Sequence, residues 1–294
     1  MLRKILYKLK FKFDLFFENT IFNDNILDII KKKNYKFFNS NNYWNKVAQD
    51  IKKQSSPQNK NSFFRSWSVI SHLAPTDFIL GYKILIKIKK HFLGEELLNK
   101  CSTPPWGSPV LLRKYPFLST QTAAHLLNII SFYDCFGKKF LYYKLFIDFG
   151  GGYGGLARCL CQLRNHYFIH IIDLPSMLKV QKTYINETSS FRDRINFTSN
   201  IKNLNGRYDL FNASFSFSEI SENKRLKVEN FILKKCDRFH IIYQNIFNNI
   251  DNDKYIKNFQ KKFRLKKWKV FIKPFDYYGS DNKFIIYGIS PKHK

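Results

Sequence analysis

Cysteine is scarce and unpatterned: five in 294 residues, an odd number, none in a CxxC spacing. That argues against a disulfide framework or a thiolate metal centre and fits a reducing compartment. Long apolar runs are also missing. No stretch of about 18 uncharged apolar residues occurs, so no membrane span is expected. The opening MLRKILYKLKFKFDLFF carries lysines at 4, 8, 10 and 12, where a signal peptide needs an unbroken apolar core. Acidic residues are few, 22 against 50 Lys and Arg, for a net charge of +28. Such an excess attracts nucleic acid, acidic lipid or charged glycan. The lysines, however, are spread along the whole chain, and Asn, Ile, Phe and Tyr, whose codons share the A/T richness of lysine codons, are abundant beside them. Base composition therefore accounts for the charge better than a dedicated nucleic-acid surface does. Hydrophobic residues at 44% and aromatics at 18% mark a globular chain with material for a large core.

Glycine is sparse as well, 12 in all, but Gly150, Gly151, Gly152, Gly154 and Gly155 stand together. They sit inside LFIDFGGGYGGLARCLCQLRNHYFIHIIDLP (145–175), an apolar strand ending at Asp148, a glycine turn, a helix, and a second apolar strand ending before Asp173. Glycine lets backbone approach a ligand at positive φ, and the helix that follows presents unpaired N–H groups and a positive dipole end. An acid about 20 residues beyond the first glycine suits a ribose diol. The pattern points to an adenosine-like ligand.

Residues 1–120 show helical stretches at 2–17, 24–38, 43–54 and 77–93 and no alternating strand pattern, with breaks at QSSPQNKNS (54–62) and STPPWGSP (102–109). A connector at 110–119 leads to a helix at 120–133. From 145 onward strands and helices alternate: helix 175–186, strand 195–198, strand 208–213, helix 222–236, strand 240–243, helix 253–263. Two strand-like runs, 268–274 and 283–289, close the chain around the turn-rich DYYGSDN. With no helix between them they must pair antiparallel. The expected architecture is a helical N-terminal region, 1–106, followed by an α/β domain, 107–294, whose parallel sheet ends in an antiparallel hairpin.

Gly150, Gly152 and Gly155 also satisfy the GxGxxG of dinucleotide enzymes. Asp148, two residues before the first glycine, has little use beside a pyrophosphate and suits a ligand bearing an ammonium group. The terminal hairpin and the mid-chain position of the unit point the same way. Here the chain resembles the class I S-adenosylmethionine-dependent methyltransferases, and more narrowly the bacterial sugar O-methyltransferase family. The matching pieces are IDFGGGYGGLA (147–157), IIDLPSML (171–178), YDLFNASFSFSEI (208–220) and KPFDYYGSDNKFIIYG (273–288), with GSPVLLRKYPFLS (107–119) as a further piece. Ile220 stands where that family usually has methionine.

The resemblance implies a Rossmann-like seven-stranded methyltransferase sheet and S-adenosyl-L-methionine as cofactor. By position, Asp148 and the backbone of Gly150, Gly151, Gly152 and Gly154 would hold its methionine end, and Asp173 would take the ribose hydroxyls. Leu174 and Asn200 would flank the adenine, and Asn212 would line the floor near the sulfonium. The implied activity is methylation of a sugar hydroxyl in capsule or lipopolysaccharide assembly, which begins on the cytoplasmic face of the inner membrane.

A hydroxyl needs a base to become a nucleophile. Glu219, beyond the tip of the fourth strand, is the first candidate; His125, in the helix before the sheet, is the alternative. His240 starts a buried strand and reads as structural. No convergent carboxylate cluster suggests a metal. Arg113, Lys114 and Tyr115 in the connector could face a phosphorylated or acidic sugar, though ordinary surface charge accounts better for the two basic residues. Two rival functions stand beside this one. A nucleic-acid (RNA) methyltransferase would suit the charge, but base methylation calls for a Pro-Pro-aromatic loop where this chain has Asn212-Ala213-Ser214-Phe215. A non-catalytic cofactor-binding protein would use the basic amphipathic stretch 1–17 as an anchor on an anionic membrane surface.

Overall fold

A computed structural model describes residues 40–73, 77–247, 250–275 and 282–293. The helical stretches expected at 2–17 and 24–38, including the expected membrane-surface segment, and most of the DYYGSDN link lie outside the described residues. All described residues belong to one compact unit, Ser40–Lys294.

Seven strands make one sheet: β1 Leu145–Phe149, β2 Phe168–Ile172, β3 Ile195–Thr198, β4 Leu210–Ser214, β5 Arg238–Gln244, β6 Lys269–Pro274 and β7 Lys283–Ile289. Their spatial order is β3-β2-β1-β4-β5-β7-β6. The first five run parallel, and β7 is antiparallel to both neighbours. This is the α/β sheet with a reversed terminal hairpin that the alternation of strands and helices required. Strand order reverses between β1 and β4, and such a switch point opens a crevice beyond the C-terminal strand ends.

Helices α1 Ser40–Gln54, α2 Phe78–Lys90, α3 Gly94–Lys100 and α4 Thr120–Phe136 precede the sheet. Helices α5 Gly155–Leu163, α6 Pro175–Thr188, α7 Glu222–Lys235 and α8 Asn252–Leu265 connect its strands. Because strand side chains alternate faces, β1 sends Phe146 into one core with α1–α6 and Ile147 into a second with α7 and α8. In the second, Phe259 and Phe263 stack at 4.2 Å beneath Phe239 and Trp268, each buried ring contributing about 2–3 kcal/mol.

Two local features differ from expectation. The stretch 110–119 is not a bare connector: Leu111–Leu112 pairs antiparallel with Tyr115–Ser119. Its burial does not alternate, because Tyr115, Pro116 and Phe117 all face outward to some degree while Leu118 and Ser119 are buried, so no period of two was there to read. Helix α3, only seven residues long, also falls below the length at which periodicity speaks. All five cysteines are buried and unpaired. No helix among the described residues is long and apolar enough to cross a membrane.

Candidate functional site: a cavity at the ends of β1, β2 and β4

The glycine loop is built as its composition demands. Gly150, Gly152 and Gly154 hold φ of +72°, +58° and +95°, values that favour glycine strongly. Gly150 N–H donates to Ile172 O at 2.8 Å, and the Ser216 hydroxyl donates to Phe149 O. A Cβ on Gly150 would fall on the Ser216 side chain, and one on Gly151 would stand 2.9 Å from Ile171 Cγ2 and 3.0 Å from Asp148 Oδ2. Gly150→Ala therefore combines an unfavourable φ with a steric overlap. We expect it to lower unfolding free energy by about 2–4 kcal/mol in urea denaturation.

Beyond this loop lies a cavity of about 700 Å³. Of the residues singled out from the sequence, Asp148, Gly150, Gly151, Gly152, Asp173, Leu174, Asn200, His125 and Glu219 line it. Gly154 and Asn212 do not. Gly154 caps the start of α5, and Asn212 sits behind Asp148 rather than on the cavity floor.

Asp148 is held from behind by a ladder that strand register creates. Asp148 pairs with Asn212 across β1 and β4, and Asn212 with His240 across β4 and β5, so all three side chains share one face. Asn212 Nδ2 donates to Asp148 Oδ1 at 2.9 Å, and His240 Nδ1 lies 3.3 Å from Asn212 Oδ1. His240 Nε2 is 2.8 Å from Ser131 Oγ on α4. Burial pushes the His240 imidazole down to about 3, so the ring is neutral, donating to Asn212 and accepting from Ser131. Asp148 Oδ2, by contrast, is buried with no hydrogen-bond partner among the described residues. Burial raises the Asp148 carboxyl to about 6, against the pull of Asn212.

Asp173 is fixed differently. Its Oδ1 accepts from Leu174 N–H and its Oδ2 from Gln181 Nε2, both at 2.7 Å. Gln181 Nε2 also reaches Gly152 O at 2.9 Å, tying the second acid to the glycine loop. Burial, with a smaller contribution from Asp148, raises Asp173 to about 7. Gln181 was not singled out in the sequence. Its signal was a lone amide on the apolar stripe Met177, Gln181, Tyr184 of α6.

Glu219 lies across the cavity, in the turn Ser216–Glu219 that follows β4. Arg225, buried within α7, donates from Nη2 to Ser218 O at 2.6 Å and from Nε to Ile220 O at 2.9 Å. It thereby grips the carbonyls on both sides of Glu219. Burial raises Glu219 to about 7, opposed by Gln244 Nε2 at 3.4 Å. Phe215, at the entry to this turn, holds φ of +69°, a conformation rarely adopted by an aromatic residue and concentrated at functional sites.

His125 lines the same cavity on the α4 face that also presents Gln121 and Asn128. Its Nε2 is 2.9 Å from Tyr153 Oη, and burial drives the imidazole down to about 4. A ring so reluctant to take a proton is a poor base, so Glu219 is the stronger of the two. Arg113, Lys114 and Tyr115 are not among the cavity-lining residues. The cations that are, Lys224 and Lys227 on α7 and Lys283 at the start of β7, were indistinguishable in the sequence from the surrounding lysine background. Among the described residues no group of three or more His, Cys, Asp or Glu could hold a metal ion.

No known family profile matches this chain, and no curated protein matches it. Among solved structures it is similar to a glycopeptide N-methyltransferase, MtfA, complexed with sinefungin (13% identity over 58% of this chain and 86% of that one, TM-score 0.45). It is similar to the methyltransferase domain of bacterial CtHen1 (14% identity, 56% and 96%, TM-score 0.44). A third similar structure is an O-methyltransferase family protein from Burkholderia thailandensis (12% identity, 58% and 60%, TM-score 0.44).

Proposed function

We propose that this chain is an S-adenosylmethionine-dependent O-methyltransferase that acts on a sugar hydroxyl in surface-glycan assembly. The observation that carries the cofactor assignment is Asp148 Oδ2, a buried carboxylate oxygen with no hydrogen-bond partner among the described residues, beside a backbone cradle that only glycine can form. A buried acid in that state calls for a cationic partner, and the ammonium of a methionine moiety fits. Asp173, secured through Gln181, accepts the ribose hydroxyls; Leu174 and Ile172 flank the base, with Asn200 at the rim.

When bound, the cofactor supplies a methyl group activated on a sulfonium. The protein's remaining task is alignment and one proton transfer. Glu219, held by Arg225 through its neighbouring carbonyls, would take the proton of the acceptor hydroxyl. Burial lifts the Glu219 carboxyl to about 7, toward the range in which a general base works at neutral pH. The family resemblance of residues 107–290 supports a sugar as the acceptor. The test is methyl transfer from labelled S-adenosylmethionine to glycan extract or to RNA. Label in the glycan is expected, and label in RNA alone would overturn the acceptor assignment.

A further inference from the structure

Asn128 Oδ1 and Trp44 Nε1 are buried with no hydrogen-bond partner among the described residues, and both residues line the cavity. Asn128, on α4, is only 5% exposed. Its Nδ2 donates to Ser214 Oγ at 3.3 Å, which ties one end of the amide to the C-terminal end of β4 and leaves the carbonyl end unused. Ser214 lies two residues before the turn Ser216–Glu219. Asn128 therefore stands at the Glu219 side of the switch point, whereas both acids and the glycine loop stand at the ends of β1 and β2.

Trp44 comes from a different element, α1. Its indole meets the His72 ring edge-on, 6.0 Å between centroids. The residue after His72 reaches the glycine loop: a Cβ on Gly152 would stand 3.8 Å from Leu73 Cδ2. The helical region before the sheet thus supplies a wall of the same cavity.

A buried polar group without a partner costs free energy, and native proteins hold few of them. Asparagine also gains nothing from a helix interior, where it is a weak former. An amide carbonyl accepts and an indole N–H donates, and neither carries charge. Hydroxyls can serve both, since each gives and takes a proton, and a sugar ring carries several on one frame. Trp44, Leu73 and Leu80 add the apolar surface on which the C–H face of such a ring packs.

We propose that Asn128 and Trp44 form the acceptor subsite. Asn128 Oδ1 accepts from a second hydroxyl of the sugar, beside the one that meets Glu219, and Trp44 Nε1 donates to a further oxygen. This rests on the methyltransferase reading of the same cavity. It assigns recognition of the acceptor to the helical region, 40–136, and leaves the cofactor to the strand ends and the glycine loop.

The experiment measures methyl transfer from labelled S-adenosylmethionine over a range of glycan-extract concentrations. Adenosylhomocysteine calorimetry and thermal melts accompany it on the same full-length proteins. Asn128→Leu, which removes the carbonyl at similar volume, is expected to lower kcat/KM for the glycan about tenfold, chiefly through KM. Trp44→Phe, which keeps a ring and removes the N–H, should lower it about fivefold. Adenosylhomocysteine affinity should change less than twofold in both. Asn128→Leu should melt no lower than wild type, because it removes an unsatisfied buried carbonyl; should it fail to fold, Asn128→Ala is expected to show the same loss. Unchanged kcat/KM per folded molecule in the Asn128 and Trp44 variants would overturn this inference alone. An equal loss of adenosylhomocysteine binding would place these residues at the cofactor and also overturn it. Wild-type protein that binds adenosylhomocysteine but labels no glycan would remove the sugar acceptor and the subsite with it, and failure to bind adenosylhomocysteine would remove the methyltransferase reading itself.

Discussion

Glu219→Gln is expected to lower kcat by about a thousandfold, within the range that a positioned general base contributes, while leaving adenosylhomocysteine affinity within twofold. In the wild type, kcat/KM should climb between pH 6 and 8 with a midpoint near 7, as the carboxyl that burial has raised to about 7 loses its proton in the free enzyme. The variant's residual rate should not follow that curve. The stability effect carries a defined sign. A carboxyl whose folded-state affinity is raised contributes stability in its neutral form below about pH 4, and that contribution fades as pH rises through 7. Replacing it with an uncharged amide should therefore leave the protein at pH 8 no less stable than wild type. If Glu219 only supported the start of α7, the variant would instead melt earlier and keep its turnover per folded molecule.

The second large effect is at Asp148, where binding and stability should move in opposite directions. Ionising Asp148 in the empty pocket is unfavourable, since its affinity stands at about 6 against an ordinary 3.8. At about 1.4 kcal/mol per factor of ten, this costs about 3 kcal/mol at pH 8 as an upper bound. Asp148→Asn removes that cost, so the ligand-free variant should melt at a higher temperature than wild type at pH 8, by about half as much at pH 5, and show little difference below about pH 3.5. The same change removes the carboxylate proposed to meet the cofactor's ammonium, and adenosylhomocysteine affinity should fall about a hundredfold. The wild type should accordingly gain more thermal stability from the ligand at pH 8 than at pH 5.5, because only the ionised acid pairs with it. Calorimetry and melting curves across that pH range check both signs.

How far these residues could be found without coordinates depended on whether their signal was local. The glycine loop, Asp148 and Asp173 announce themselves within one strand–turn–helix–strand unit, because positive φ and strand-tip acids are properties of neighbouring residues. The sheet was legible for the same reason: strands such as 195–198 and 283–289 have the bounds read from their apolar runs. What escaped is relational. Asn212 is apolar-flanked at the end of a strand, which places it near the cavity but not behind Asp148; the difference lies in the β1–β4 register. Arg225 reads as one more cation on a polar helix, yet it is among the largest fully buried side chains, held by carbonyls of the turn after β4 and by the Tyr255 ring. Gln181 and Lys283 meet their partners across elements that the chain brings together from a distance. The lysine-rich composition masked the three cations at the cavity, since nothing local sets Lys227 apart from Lys234 or Lys235.

Two carboxylates and a glycine cradle form the proposed site for a sulfonium nucleoside. The most direct test is a calorimetric titration of adenosylhomocysteine, with NAD alongside, into the wild type, Asp148→Ala and Asp173→Ala at pH 8. The expected result is one-to-one binding of adenosylhomocysteine by the wild type, strong loss in both variants, and no binding of NAD. Wild-type protein that binds NAD instead, or that binds adenosylhomocysteine no differently from the two variants, would contradict it.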